Sequence, residues 1–275
     1  MDNQTIGVFD SGVGGLTVAR ELRRMLPAAP LVYFGDTART PYGTKSPETL
    51  IRYALEDARF LIGKGAGLIV IACHSAASVA TEALRQELRA PVFEVITPSI
   101  DQAVAKTKKK VIGLMGTRAT VSSRVYEREI GARNDGIKVY SQACPLLVPL
   151  VEEGWFDARE TRMIIKRYLR PLKNNGIDTL VLGCTHYPLL KPVIAEKIGK
   201  RVEIIDPSAE AARAVRDYLE ADRALYATRD DRIAESERKG RAEARFFMSD
   251  LTPATERIAR WFLGENVRLE RDGPD

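Results

Sequence analysis

The sequence contains few cysteines, only two histidines and no long apolar run. Three cysteines in 275 residues are too few for a disulfide framework, which indicates a reducing compartment. No apolar run approaches the roughly 20 residues that span a bilayer. The first residues, with Asp2 and no basic segment, do not resemble a signal peptide. We therefore expect a cytoplasmic protein with no membrane partner.

The chain also lacks a marked excess of one charge. It has 42 Lys and Arg against 37 Asp and Glu, a formal net charge of +5, and both signs are interleaved. Nucleic-acid-binding proteins more often show clustered basic residues with aromatics between them. The one basic cluster, residues 106–110, precedes a predicted strand and is expected to be a solvated loop. We expect no nucleic-acid partner.

What the sequence does have is a cysteine directly after each of two apolar runs. Residues 67–72 precede Cys73, and residues 177–183 precede Cys184. Such runs predict buried parallel strands, and predicted helices follow at residues 76–89 and from Pro188 onwards. Turns of this kind line the ligand crevice of an α/β sheet, where backbone N–H groups favour a thiolate. Both histidines lie beside these cysteines, as His74 and His186.

The two cysteines occupy equivalent places in an internal repeat. Residues 111–118 resemble residues 6–11, and Cys73 lies 67 residues after Ile6, as Cys184 lies 72 after Ile112. The predicted fold is α/β, with two similar domains whose mostly parallel sheets are related by a pseudo-twofold. The active site is expected in the cleft between them, with the two thiols facing each other.

Three further segments carry predictions. The glycine-rich turn at residues 11–15 lacks the Walker lysine and the dinucleotide-binding spacing, so it is expected to offer N–H groups to a carboxylate, beside Asp10. Residues 92–96 are predicted to form a strand that Thr97 and Pro98 end. The charged segment 221–239 is expected to be a solvated hairpin or loop.

The cysteines and histidines admit several kinds of chemistry. A metal site could use Cys73, His74, Cys184 and His186, although structural zinc normally takes ligands from closely spaced cysteine pairs. A Cys–His nucleophile would leave the second cysteine unexplained, and inert buried cysteines are common when they occur singly. Two opposed thiols suit an acid/base pair that removes a proton from one face of a carbon and returns one to the other.

Four ordered motifs give the chain a resemblance to a known family. Together they resemble the cofactor-independent glutamate racemases of the aspartate/glutamate racemase superfamily. The motifs are residues 10–16 (DSGVGGL), 35–39 (GDTAR), 41–43 (PYG) and 183–189 (GCTHYPL).

The resemblance implies two α/β domains around a central cleft, the first formed by residues 1–97 and 209–275 and the second by residues 98–208. It implies an isomerase that interconverts L- and D-glutamate without pyridoxal phosphate or metal and supplies D-glutamate for peptidoglycan synthesis. Glutamate is then the small-molecule partner, and a homodimer is compatible with the family.

The resemblance also assigns roles to residues. Cys73 and Cys184 are the two bases, Asp10 assists at Cys73, His186 assists at Cys184, and the family's cleft glutamate is Glu152. The residues implied to contact the substrate are Asp10, Ser11, Pro41, Tyr42, Gly43, His74, Ser75, Thr185 and His186.

One position departs from the family pattern. Where the family has Cys-Asn-Thr-Ala, this chain has residues 73–76, CHSA. We expect His74 to be a neutral imidazole that forms a hydrogen bond with Asp10 or a substrate carboxylate. Because of this departure, a racemase for aspartate or another amino acid stays an alternative. So do a non-catalytic member that binds a dicarboxylate and a thiol hydrolase or decarboxylase of the same fold.

Overall fold

The computed structural model describes residues 5–225 and 242–274, without the side chains of residues 222–225. The strands are β1 (Ile6–Asp10), β2 (Leu31–Gly35), β3 (Leu68–Ile71), β4 (Val92–Glu94), β5 (Val111–Gly116), β6 (Lys138–Ala143), β7 (Thr179–Gly183), β8 (Glu203–Ile205), β9 (Ala244–Met248) and β10 (Leu269–Arg271). The helices are α1 (Leu16–Met25), α2 (Pro47–Gly63), α3 (His74–Glu87), α4 (Ile96–Lys106), α5 (Arg118–Ser122), α6 (Val125–Arg133), α7 (Leu147–Glu152), α8 (Arg159–Asn174), α9 (Lys191–Ile198), α10 (Pro207–Leu225) and α11 (Pro253–Leu263). Within these described ranges, every helix is too short or too polar to cross a bilayer.

The strands form two sheets in which every pair is parallel. One sheet has the order β10-β9-β2-β1-β3-β4 and the other β6-β5-β7-β8. The segment β2-β1-β3-β4 of the first sheet and the whole second sheet have the same strand order. In each, the first strand in the sequence lies between the second and the third strand, and the fourth strand lies beyond the third. The prediction of an α/β fold with two parallel sheets is confirmed, and the sequence repeat is a repeat of topology.

Each sheet is covered by helices on both faces, which explains its continuous apolar strands. In the first sheet, α1 packs with α10 and α11, whereas α2 packs with α3. Right-handed crossovers place α1 and α2 on opposite faces, because the strand order reverses after β2. Strands β1, β2, β3 and β7 are buried along their whole length. Because these strands are fixed in the core, the residues directly after their carboxyl ends have well-defined positions.

The predicted break at Thr97 and Pro98 is wrong, because these residues lie in the first turn of α4. Proline is tolerated there, since the N–H groups of a first turn have no partner within the helix. The side chain of Glu94 accepts hydrogen bonds from the backbone N–H groups of Ile96 and Thr97. This capping allows a helix to begin directly after β4.

The charged segment is also partly helical. Helix α10 continues through Leu225, so the prediction of a loop from residue 221 is wrong for its first five residues. The rest of the predicted loop, residues 226–239, lies outside the described residues. The two predicted domain boundaries fall within α4 and α10, and the division into domains stays a prediction.

Candidate active site

Cys73 lies between β3 and α3 and is buried. Its sulfur is 3.6 Å from Ser11 Oγ, at the end of the neighbouring strand β1. The backbone N–H groups of Ser11 and Ala76 also donate towards the sulfur. Burial and, to a lesser extent, the nearby charge of Asp10 raise the pKa of the Cys73 thiol to about 12, although these donors oppose the rise. At neutral pH, Cys73 is a thiol and hence a proton donor.

Cys184 occupies the equivalent place after β7, and its partner is charged. His186 Nδ1 lies 3.9 Å from Cys184 Sγ, and His186 Nε2 lies 3.0 Å from Glu152 Oε1. Burial alone lowers the pKa of His186, but the hydrogen bonds and negative charges of Cys184 and Glu152 outweigh it and raise the pKa to about 10. His186 is therefore an imidazolium at neutral pH, with its ring edge against Phe262 of α11 at 5.2 Å between centroids.

Asp10 connects the two halves of the site. It is fully buried at the end of β1, where Oδ2 accepts the N–H of Gly12 at 3.1 Å and Oδ1 accepts Thr185 Oγ1 at 3.4 Å. Thr17 of α1 makes a second link by donating to the carbonyl of Thr185 at 3.2 Å. Burial raises the pKa of Asp10, and the positive charge of His186 opposes that rise. Asp10 thus acts on Cys73 through its charge.

The glycine-rich turn allows this close approach. A Cβ built at Gly14 would lie 2.5 Å from His186 Nδ1 and would also overlap the hydroxyl of Thr185. Real Cβ atoms do not make such contacts, so only glycine fits here. The neighbour in this close approach is the second half of the molecule.

A second set of contacts crosses the cleft near Cys73. Ser75 Oγ lies 3.0 Å from Thr117 Oγ1, at the end of β5. A Cβ at Gly43 would lie 3.2 Å from the side chain of Thr117. Thr117 follows β5 as Ser11 follows β1, and each lies beside a cysteine-bearing strand. Our sequence reasoning missed Thr117, although the repeat that relates the two cysteines also relates these two hydroxyl residues.

His74 is the first residue of α3 and is 3% exposed. Burial lowers its pKa to about 3, so the imidazole is neutral as expected. The expected hydrogen bond to Asp10 is wrong, because neither ring nitrogen has a hydrogen-bond partner among the described residues. Buried polar groups in proteins nearly always form hydrogen bonds, so we expect this imidazole to form one with a bound molecule.

The remaining predicted contacts lie in one loop. Tyr42 begins a short 3-10 turn (Tyr42–Thr44), and Pro41 precedes it. Tyr42 is buried, and its hydroxyl hydrogen bonds with Asp36 and Asp57, which lie behind the loop. The loop therefore presents Gly43 towards the cleft and keeps the Tyr42 side chain inside the first half.

Cys144, the third cysteine, is buried at the end of β6, where it donates to the carbonyl of Gln142 at 3.4 Å. Ala143 and Gly183 flank Gly116 on opposite sides. Cys144 and Cys184 are therefore separated by two strand spacings of about 4.8 Å each. That exceeds the roughly 7 Å limit between the Cα atoms of a disulfide, and Cys144 is a buried, free cysteine.

Comparisons with known proteins agree with this arrangement. The family model described as Asp/Glu/Hydantoin racemase matches residues 6–215. A glutamate racemase from Geobacter metallireducens is 45% identical over 261 residues, covering 95% of this chain and 93% of the relative.

Solved structures give the same result. A glutamate racemase isoform from Bacillus anthracis superposes with a TM-score of 0.90 at 36% identity, covering 99% of this chain and 98% of that one. The glutamate racemase from Francisella tularensis, solved in complex with D-glutamate, has a TM-score of 0.89 at 35% identity, covering 100% of this chain and 99% of that one. The matches extend over nearly the whole chain, and the chain belongs to the Asp/Glu/hydantoin racemase family.

Proposed function

We propose that this protein interconverts L- and D-glutamate by transferring protons between two cysteines and the α-carbon. The observation that carries the proposal is that Cys73 and Cys184 follow equivalent strands of two repeated sheets. The sheets are joined at those ends by the contacts of Asp10 and Thr117. Full-length similarity to glutamate racemases supports the choice of substrate.

The two thiols have different surroundings, which defines a starting state. We assign Cys184 the role of the first base, because the imidazolium of His186 lies 3.9 Å from its sulfur and stabilises negative charge there. Cys73 is the thiol, since burial and the charge of Asp10 hold its pKa at about 12. One cysteine is then ready to accept a proton and the other to donate one, as an acid/base pair requires.

Each turnover moves one proton at each face of the substrate. The Cys184 thiolate takes the α-proton and becomes a thiol, and the electron pair of the broken C–H bond stays on the substrate as a carbanion delocalised into its carboxylate. The Cys73 thiol then donates its proton to the opposite face and becomes a thiolate. Configuration at the carbon is inverted, and reaction of the other enantiomer returns both cysteines to their starting states.

Substrate recognition rests on donors and acceptors around the two thiols. The hydroxyls of Ser11, Ser75 and Thr185 lie beside the cysteines, and the loop of Pro41, Tyr42 and Gly43 closes the cleft through its backbone. His74 supplies an unpaired, neutral imidazole, which offers a hydrogen bond to the substrate without repelling its ammonium group. Asp10, His186 and Glu152 set the charge around the two sulfurs.

The product gives the enzyme its place in the cell. D-Glutamate for peptidoglycan synthesis is made in the cytoplasm, and we assign this protein to that compartment and role. The chemistry uses two sulfur atoms and needs no cofactor. Assembly into a homodimer stays a prediction.

Deuterium exchange tests the proposal. The purified enzyme is dialysed against a chelator and incubated in heavy water with L-glutamate, D-glutamate or aspartate, with no cofactor added. We expect deuterium at the α-carbon of both glutamate enantiomers and racemisation of each. Racemisation should stop in Cys73→Ala and in Cys184→Ala, where the one remaining base can exchange the α-proton of only one enantiomer, whereas Cys144→Ala, the matched control, should retain racemisation and exchange into both enantiomers.

The alternatives predict different results. Exchange into aspartate but not glutamate would assign the protein to another amino-acid substrate. Binding of glutamate without exchange would make it a non-catalytic dicarboxylate-binding member. Activity that is lost on chelation and restored by zinc would contradict the two-thiol mechanism.

A further inference from the structure

A buried acidic cluster lies behind the loop that carries Tyr42 and Gly43. The Tyr42 hydroxyl lies 2.5 Å from Asp36 Oδ2 and 2.9 Å from Asp57 Oδ2. Arg39 donates to Asp36 Oδ2 at 2.6 Å and to Asp57 Oδ1 at 2.9 Å. Asp36 is 1% exposed and Asp57 is fully buried. One guanidinium and one tyrosine hydroxyl thus contact both of these buried carboxyl groups.

Counting hydrogens shows that these carboxyl groups cannot both be ionised. The Tyr42 hydroxyl has one hydrogen, which it can donate to Asp36 or to Asp57. With two carboxylates, one pair of acceptor oxygens would face each other with no hydrogen between them in a buried site. A proton on Asp57 Oδ2 removes this conflict, since Asp57 then donates to Tyr42 and Tyr42 donates to Asp36.

The surroundings place the extra proton on Asp57. Both oxygens of Asp36 already accept other donors, Arg39 Nε on Oδ2 and Ser249 Oγ on Oδ1 at 3.0 Å, as an ionised carboxylate does. Burial raises the pKa of Asp57 well above its usual range, and the charges of Asp36 and Glu56 raise it further, while Arg39 and Tyr42 oppose them. The ionisable groups with the largest effects on the Asp57 pKa thus lie in the loop after β2 and on α2 itself.

We propose that Asp57 is a positioning residue that stays protonated in the folded enzyme and holds the Tyr42 loop in place against the cleft. Through Tyr42 it fixes Gly43, whose backbone packs against Thr117 of the second half. Asp57 touches neither thiol. It therefore acts on the binding of glutamate, and this role rests on the function proposed above.

Carboxyl NMR tests the protonation directly and needs no activity. The protein is labelled with ¹³C at aspartate side-chain carboxyls, and the Asp57 resonance is assigned by its loss in Asp57→Asn. We expect it at the position of a protonated acid at pH 7, with titration only at alkaline pH. Titration near the ordinary aspartate pKa of about 3.9 would overturn the proposal.

Kinetics test the positioning role. Asp57→Ala should raise KM for both glutamate enantiomers about tenfold, equivalent to about 1.4 kcal/mol, with kcat changed less than about threefold, because uniform binding is lost. Asp57→Asn should restore KM, since its amide donates to Tyr42 at every pH. The matched control is Glu56→Gln, which removes the negative charge of a partly exposed partner of Arg39 and leaves Tyr42 untouched.

The outcomes separate the two proposals. If Asp57→Ala does not fold, Tyr42→Phe removes the hydrogen bond between Tyr42 and Asp57, together with that to Asp36, and should show a similar rise in KM. An unchanged KM in the folded variant, or a loss confined to kcat, overturns the positioning role even if Asp57 is protonated. A wild-type enzyme with no racemisation overturns the proposed function, while the NMR result still decides whether Asp57 holds the proton.

Discussion

The histidine at position 74 places a neutral ring where the family pattern has an amide. Its pKa of about 3 means that it carries no charge between pH 5 and 9. We predict that His74→Asn loses only a few-fold in kcat/KM, since asparagine keeps a donor and an acceptor. The acid limb of the pH–rate profile should not move.

The measurement is kcat/KM for both glutamate enantiomers across pH in wild type and His74→Asn, with aspartate as a competing substrate. His186→Asn is the comparison, because its imidazole is charged and its loss should reduce activity sharply. An acid limb displaced by about one pH unit in His74→Asn, equivalent to roughly 1.4 kcal/mol, would show that His74 titrates in the working range.

At the scale of residues, the sequence predicted the site residues that belong to a common motif. It did not predict the residues that are far apart in the chain and come into contact only in the folded protein. The proximity of His186 to Cys184 follows from their spacing of two residues. Asp57 lies on α2 with no motif around it, and only the folded chain brings it within 2.9 Å of Tyr42. The sequence also could not show that His74 has no hydrogen-bond partner among the described residues, because hydrogen bonding depends on how the site packs.

Among the elements, the turn between β1 and α1 lies tightly against the second half, and it gives the sharpest prediction. Gly14→Ala should reduce kcat/KM by about 100-fold or more, because a displacement of about 1 Å at reacting groups costs that much. The added methyl group would push His186 and Thr185 away from their positions. Gly14 is not in the left-handed region, so the effect comes from the contact and not from backbone strain.

The matched control is Gly131→Ala in α6, where a Cβ meets no atom within 4 Å. This variant should keep full activity and gain about 0.5–1 kcal/mol of stability from helix propensity. Circular dichroism melting and steady-state kinetics of both variants give the answer. An active Gly14→Ala enzyme would mean that the two halves are not held as close as the structure shows.

The sequence predicted the elements that have a hydrophobic period or a clear cap. It failed to predict elements whose ends depend on side-chain contacts in the folded chain. Helices α2 and α11 show such caps, each with a hydroxyl residue before the helix and a proline in its first turn. Helix α4 was missed because Pro98 suggested a break, and the capping by Glu94 depends on a side-chain conformation. The short helices α5, α6 and α7 were also missed, since few residues give little periodicity.

For the whole molecule, the proton of His186, held by Cys184 and Glu152, links stability to pH. The pKa of His186 is raised from an ordinary value of about 6.5 to about 10. Its stabilisation is therefore fully present below pH 6.5, declines as pH rises because the unfolded chain loses the proton first, and is gone above pH 10. The Glu152 side chain is 38% exposed, so solvent screening weakens its contribution to this stabilisation.

We predict that Glu152→Gln lowers the free energy of unfolding at pH 6 and has little effect at pH 10. Urea titrations at both values measure it, and the exposed neighbour Glu153→Gln serves as control. An equal loss at pH 6 and pH 10 would show that Glu152 stabilises the fold by packing and not through the charge of His186.

The order of strands along the chain has a consequence for synthesis on the ribosome. Among the described residues, the second sheet consists of β5 to β8, so all its strands can pair once residue 205 has left the ribosome. The first sheet begins with β1, yet β2 keeps an unpaired edge until β9 at residues 244–248 arrives to cover it. An open strand edge is a site for wrong pairing with other chains. The half of the molecule that is translated first is therefore completed last, and its exposed edge persists through most of translation.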